Sequence, residues 1–174
     1  MSRPNSRRIH AIPLFVLVAC GALALGIANA DDQLHPVNSQ GPTYLSLVHP
    51  KVRVTLWLSK VGASFPYRNA LFWGGDVGEP PADFVSAIDI RDGSLDMFVP
   101  LSAYSDLGDV RRASLSESSH GFVLRLYGGD TATSYEAKLE FKNDFLARRT
   151  VSSNEFPDTS REVTRYWFPP RTGM

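Results

Sequence analysis

The carboxylates are the first residues in this sequence that could do chemistry. Asp92-Gly93 is a hairpin signal between two apolar alternations. With a loop of two or four residues there, Asp89 lands directly opposite Asp96. Like charges facing each other destabilise a sheet unless something offsets them. Arg91, two residues from Asp89 on the same face, is the plain offset. A bound cation is another. A carboxyl with a raised pKa, available for acid–base work in a hydrolase, is the third. A shift in register abolishes the pair.

Two loops share the pattern aromatic-Gly-Gly-Asp: Trp73-Gly74-Gly75-Asp76 and Tyr127-Gly128-Gly129-Asp130. Glycine lets a backbone approach a ligand closely. Trp73 and Tyr127 offer flat apolar faces of the kind that stack on sugars, and Asp76 and Asp130 offer oxygens, so these four are the binding candidates. The competing reading is a strand-ending turn, with the aspartate capping its own backbone and the aromatic in the core. Calcium wants six to eight oxygens, and neither loop has the Asp-x-Asp-x-Asp spacing that would supply them.

Other chemistries find little support. Beyond residue 30 the histidines are His35, His49 and His120; two precede prolines and the third lies in the apparent turn Ser118-Ser119-His120-Gly121. No Gly-x-Ser-x-Gly accompanies them, and no pair has zinc-ligand spacing. No glycine-rich phosphate loop opens a helix, so no cofactor is expected.

The elements that must position these residues follow a leader. Arg3, Arg7 and Arg8 precede an apolar run from Ala11 to Ile27, closed by Ala28-Asn29-Ala30 and then Asp31-Asp32. This is the pattern of a secretory signal peptide over residues 1–30, with cleavage after Ala30. The apolar run is short for a membrane span, which needs about twenty residues. Leu17-Val18-Ala19-Cys20-Gly21 also fits a loose lipoprotein box. Lipidation at Cys20 would tie the protein to a membrane, although the residues after Cys20 stay apolar where a lipoprotein turns polar. Ser6-Arg7-Arg8 resembles the start of a twin-arginine signal, but His10 and Ala11 stand where bulky apolar residues are expected. A periplasmic or extracellular bacterial protein is the expectation.

Of 18 basic residues, three leave with the leader, so 15 face 18 acidic ones and the mature net charge is about −3. That balance lacks the basic footprint nucleic acid demands. The only cysteine is Cys20, so the mature chain has no disulfide. A hydrophobic content of 43% argues against disorder.

Residues 31–42 are polar with two prolines and read as a leader of low order. From Tyr44 onward, over residues 43–174, the period is two. Val52, Val54, Leu56 and Leu58 alternate with Arg53, Thr55, Trp57 and Ser59; Thr133, Tyr135, Ala137, Leu139 and Phe141 alternate with polar residues; Phe122, Leu124 and Leu126 repeat the pattern. One dry face and one wet face mark antiparallel strands. About nine short strands are predicted, with the last over 163–168. The fold class is a single all-β domain: an antiparallel sandwich, or a partly closed meander or barrel with at most one or two short helical turns. Ser102 to Leu107 is one such turn, and 62–82 is the long irregular loop. In Arg148-Arg149 one arginine faces inward and needs a carboxylate such as Glu140 or Glu162. Trp167-Phe168 packs across a sheet end or stands exposed as an anchor.

Three functions fit: a non-catalytic binding or interaction module with an envelope or secreted protein or a small ligand as partner; a carrier with an interior barrel cavity; or a carboxylate-dependent hydrolase using Asp89 and Asp96.

Overall fold

The computed structural model describes residues 33–65, 73, 80–130 and 133–168. The leader 1–30, with Cys20, and most of 62–82 lie outside the described residues. Ten strands are present among the described residues: β1 (His35–Pro36), β2 (Thr43–Ser46), β3 (Val52–Lys60), β4 (Asp83–Asp92), β5 (Leu95–Met97), β6 (Arg112–Ser118), β7 (Gly121–Gly128), β8 (Tyr135–Lys142), β9 (Phe145–Ser153) and β10 (Ser160–Arg165). All pairings are antiparallel. They form an open six-stranded sheet in the order β1-β6-β7-β8-β9-β10 and an open four-stranded sheet in the order β2-β3-β4-β5. The chain is therefore a β-sandwich and not a closed barrel.

The alternation of apolar residues creates the space between the sheets. Val52, Val54 and Leu56 of β3 and Val85, Ile88 and Ile90 of β4 meet Leu124, Leu126, Ala137, Leu139 and Phe141 of the larger sheet in one core. Burying a Leu or Val side chain fully contributes about 1.5–3 kcal/mol. Phe122 and Phe141, cross-strand partners, stack at 4.6 Å.

Three register shifts break strict alternation, one of them at Arg161 of β10, between Ser160 and Glu162. On β4, Trp57 pairs with Ala87 but Leu58 with Val85, leaving Ser86 as the extra residue. The bulge keeps both Val85 and Ile88 inside although they stand three apart. On β9, Glu140 pairs with Arg148 but Phe141 with Leu146, so Ala147 is extra. Leu146 and Arg149 therefore both face inward.

The connections tie the two sheets together. His35–Pro36 pairs with Ala113 and Arg112 and covers the edge of β6, where an unpaired strand would otherwise template another chain. The Asn38 amide then donates to Thr43 Oγ1 at 2.8 Å, and the Gln40 amide to Asn38 Oδ1 at 2.9 Å, turning the chain into β2 on the other sheet. Residues 35–43 are thus tied down by pairing that composition does not reveal. After β5, a single 3-10 turn at Leu101–Ala103 leads to Gly108, which bridges to Phe84. A side chain at Gly108 would come within 2.7 Å of Pro81, so only glycine lets these backbones meet. The helical turn read over 102–107 is present, shorter and shifted by one residue at its start.

Candidate functional site

The register of the β4–β5 hairpin corrects the expected acidic pair. Gly93, at φ +57°, and Ser94 make a two-residue turn, so Asp92 faces Leu95 and Arg91 faces Asp96. The turn sits one residue later than Asp92-Gly93 suggests, and Asp89 is no longer opposite Asp96. Opposite charges now face each other: Arg91 Nε lies 2.7 Å from Asp96 Oδ1. Asp89 faces Thr55 across β3. Pairing of opposite charges is the lower-energy register, and Asp96 now stands diagonal to Asp89 and not opposite it.

The aromatic-Gly-Gly-Asp loops separate. Trp73 is only 6% exposed and packs against Phe65 and Phe84, with ring centroids 5.9 and 6.1 Å away. It covers Phe84 on the outer face of the small sheet as an apolar plug, not as an open stacking platform. Asp76 lies outside the described residues. Tyr127 is on the outer face of the large sheet, where the Arg112 guanidinium sits 5.9 Å above its ring. Asp130 does what a turn aspartate does: its carboxylate accepts from Thr133 Oγ1 at 3.0 Å, and its carbonyl accepts from the Thr133 amide at 3.0 Å. Trp73 and Tyr127 serve faces that look away from each other across the sandwich, so they do not form one rim.

Other polar groups serve the architecture. Asp83, fully buried, takes Lys60 Nζ at 3.1 Å and Arg111 Nη1 at 3.3 Å, fastening the start of β4 to the segment before β6. Arg148 points outward to Glu140 at 2.9 Å. Arg149 points inward, with Asp106 at 2.6 Å and Glu162 at 2.8 Å. The inward arginine and its need for a carboxylate were readable from sequence, while Asp106 as second partner was not. His120 Nδ1 lies 2.8 Å from Ser119 Oγ in an exposed turn, and among the described residues no carboxylate pairs with that imidazole. Among the described residues no three His, Cys, Asp or Glu side chains converge on a metal position. Phe168 stacks on Phe145 at 5.0 Å, whereas Trp167 is 89% exposed.

What sequence reading missed is the outer face of the small sheet. Register arranges it in rows across the strands. One row is Ser46, Arg53, Arg91 and Asp96; the next is Tyr44, Thr55 and Asp89. Tyr44, at the β2 end of the second row, is 66% exposed, and Phe98, just beyond the end of β5, is 71% exposed. Two arginines, Arg53 and Arg91, stand directly opposite each other. Arg91 has Asp96; among the described residues Arg53 has no acidic partner within ion-pair distance. A groove of about 530 Å³ runs along Tyr44, Arg53, Thr55, Asp89, Arg91 and Asp96. A second, of about 440 Å³, continues past the same two arginines to Lys51, Leu47 and Val48. The signal for this face was present as the polar half of the alternation, but which arginine met which partner depended on registers of two separate hairpins.

The buried Tyr104 hydroxyl lies by the Ile88 backbone of β4, within reach of the charge of Asp89. Burial, and then the charge of Asp89, raise its pKa above the ordinary 10.0, partly countered by a backbone hydrogen bond from Ile88.

Compared with known proteins, the chain matches no family model, no curated protein and no solved structure, so its reading rests on its own residues.

Proposed function

We propose that this chain is an exported bacterial binding module whose working surface is the outer face of the β2–β5 sheet. The observation that carries the reading is the Arg53–Arg91 pair, opposed across β3 and β4, in one groove with the exposed Tyr44. A sheet face with no recognition task gains nothing from two like charges opposite each other, and large aromatics left in water are a feature of interaction surfaces. Both grooves lie on this outer face and not between the sheets, which favours surface recognition over an interior carrier. The charged, apolar and small-residue order of 1–30 supports export.

The test has two arms. The full chain is expressed in a bacterial host, fractionated, and its N-terminus determined. The expected result is a mature chain beginning at Asp31 in the periplasm or medium; a membrane-bound chain beginning at a lipidated Cys20 still counts as export. Retention of residues 1–30 in the cytoplasm overturns it. In the second arm, immobilised mature protein and an Arg53→Thr/Tyr44→Ala variant are exposed to envelope extract. Equal retention by both overturns the assignment of this face.

A further inference from the structure

The charges on this face are ordered, and their order points to a ligand class; the argument rests on the binding-module reading and deepens it. The groove of about 440 Å³ is lined by Lys51, Arg53 and Arg91 and by no acidic residue. The adjoining groove of about 530 Å³ adds Asp89 and Asp96 to the same two arginines, together with Thr55 and Tyr44. One end of the strip is thus cationic, and the other is neutral on balance and partly aromatic.

Each part of that strip selects. Arg53 and Arg91 repel each other across the strands at a cost of a fraction of a kcal/mol. A carboxylate seated between them converts the repulsion into charge-assisted hydrogen bonds, for which the planar guanidinium is well shaped. Asp96 holds Arg91 by its Nε and leaves the remaining donors of that guanidinium for a ligand. Asp89 and Asp96, immediately beside the arginines, repel a densely charged polyanion. They favour a ligand whose anionic groups are separated by neutral hydroxyls, because a carboxylate accepts hydrogen bonds from hydroxyl groups. Thr55 between Tyr44 and Asp89 both donates and accepts. Tyr44 stands at the β2 end of the row and is 66% exposed. Its ring face suits the apolar C–H face of a sugar ring, leaving the edge of that ring to the polar residues beside it.

We infer that the Arg53–Arg91 strip on the outer face of the small sheet binds an acidic glycan, a chain of sugar rings carrying spaced carboxylates.

Calorimetric titration of the mature protein (residues 31–174) with tetragalacturonate, its methyl ester and tetraglutamate tests this. Tetragalacturonate is expected to bind, at least tenfold more tightly than its methyl ester and than tetraglutamate, and more weakly as salt rises. Arg53→Thr is expected to lose at least tenfold in affinity, about 1.4 kcal/mol, while melting at the same temperature or higher because a like-charge pair has been relieved. Equal binding of the ester means the carboxylate is not recognised, and equal binding of tetraglutamate means the sugar is not; either overturns the inference. Absence of uronate binding also overturns it. If Arg53→Thr/Tyr44→Ala nevertheless abolishes retention of an envelope component, the binding-module reading stands without the glycan.

Discussion

Replacing Arg149 with methionine is the sharpest test of how the open edge of the sandwich is held. The Arg149 side chain is 4% exposed, and its guanidinium bridges Asp106 at 2.6 Å, from the loop carrying the 3-10 turn, to Glu162 at 2.8 Å, on the last strand. Methionine keeps much of the aliphatic stem, so the change removes charge more than packing. Breaking a fully buried ion pair from one side costs about 3–5 kcal/mol, because the remaining charge is stranded. Here the stranded carboxylates are 36% and 41% exposed and can recover part of their hydration. Asp106 Oδ1 is buried without a partner and recovers least. The expected loss is therefore below the fully buried case, about 2–3 kcal/mol. With a urea dependence of about 1–3 kcal/mol/M, the unfolding midpoint should fall by about 1 M. The melting temperature should fall by about 5–10 °C for a domain of this size. Adding Asp106→Asn and Glu162→Gln to Arg149→Met should return part of the loss, since the uncompensated charges are gone. A midpoint shift below about 0.3 M for the single variant would refute the reasoning, as the bridge would then be a solvated surface contact.

Three more outcomes follow from the same geometry. Tyr135→Phe removes the hydroxyl that donates to the Gly108 carbonyl at 2.7 Å in a fully buried setting; a loss of about 1–2 kcal/mol is expected in denaturant unfolding, and an unchanged midpoint contradicts it. Gly128→Ala places a methyl group into the Tyr135 ring, which should cost about 1–3 kcal/mol, whereas the same change at exposed Gly62, with nothing within 4 Å, should be far milder. The raised pKa of Tyr104 means the folded state holds its phenolic proton more tightly than the unfolded chain does. Its contribution is intact below pH 10 and is lost as pH rises through the folded value. Wild-type stability should therefore fall more steeply above pH 10 than that of Tyr104→Phe; parallel alkaline profiles would remove Tyr104 as the cause.

Much of the fold was legible because burial on a strand is written with period two. Val52 to Leu56, Phe122 to Leu126 and Tyr135 to Phe141 showed their inner faces directly, and all of them are in the core. The turn at Asn143-Asp144, where both residues take positive φ, was marked by residue types that tolerate that conformation. The site was less legible. Asp89 and Asp96 were placed opposite each other by a turn centred one residue too early, and spacing left Trp73 open between a stacking surface and a core position, which Phe65 and Phe84 decide by enclosing it. Local spacing carries no information about what lies across the sheet, or about which loop folds over which face.

The sequence by itself determined an all-β chain with strand faces assigned by alternation and an inward arginine at 148–149 in need of a carboxylate. It determined these because side chains on a strand alternate strictly and a buried charge must be paired. The tertiary structure decided everything that depends on register. The bulge at Ala147 turned Arg149 inward and Arg148 outward, toward Glu140. The Gly93-Ser94 turn set Arg91 against Asp96, and the β3–β4 pairing set Arg53 against Arg91. One residue inserted or one step of slip reverses which face a side chain occupies. The outer face of the small sheet is therefore a property of how the strands are paired, and not of any strand alone.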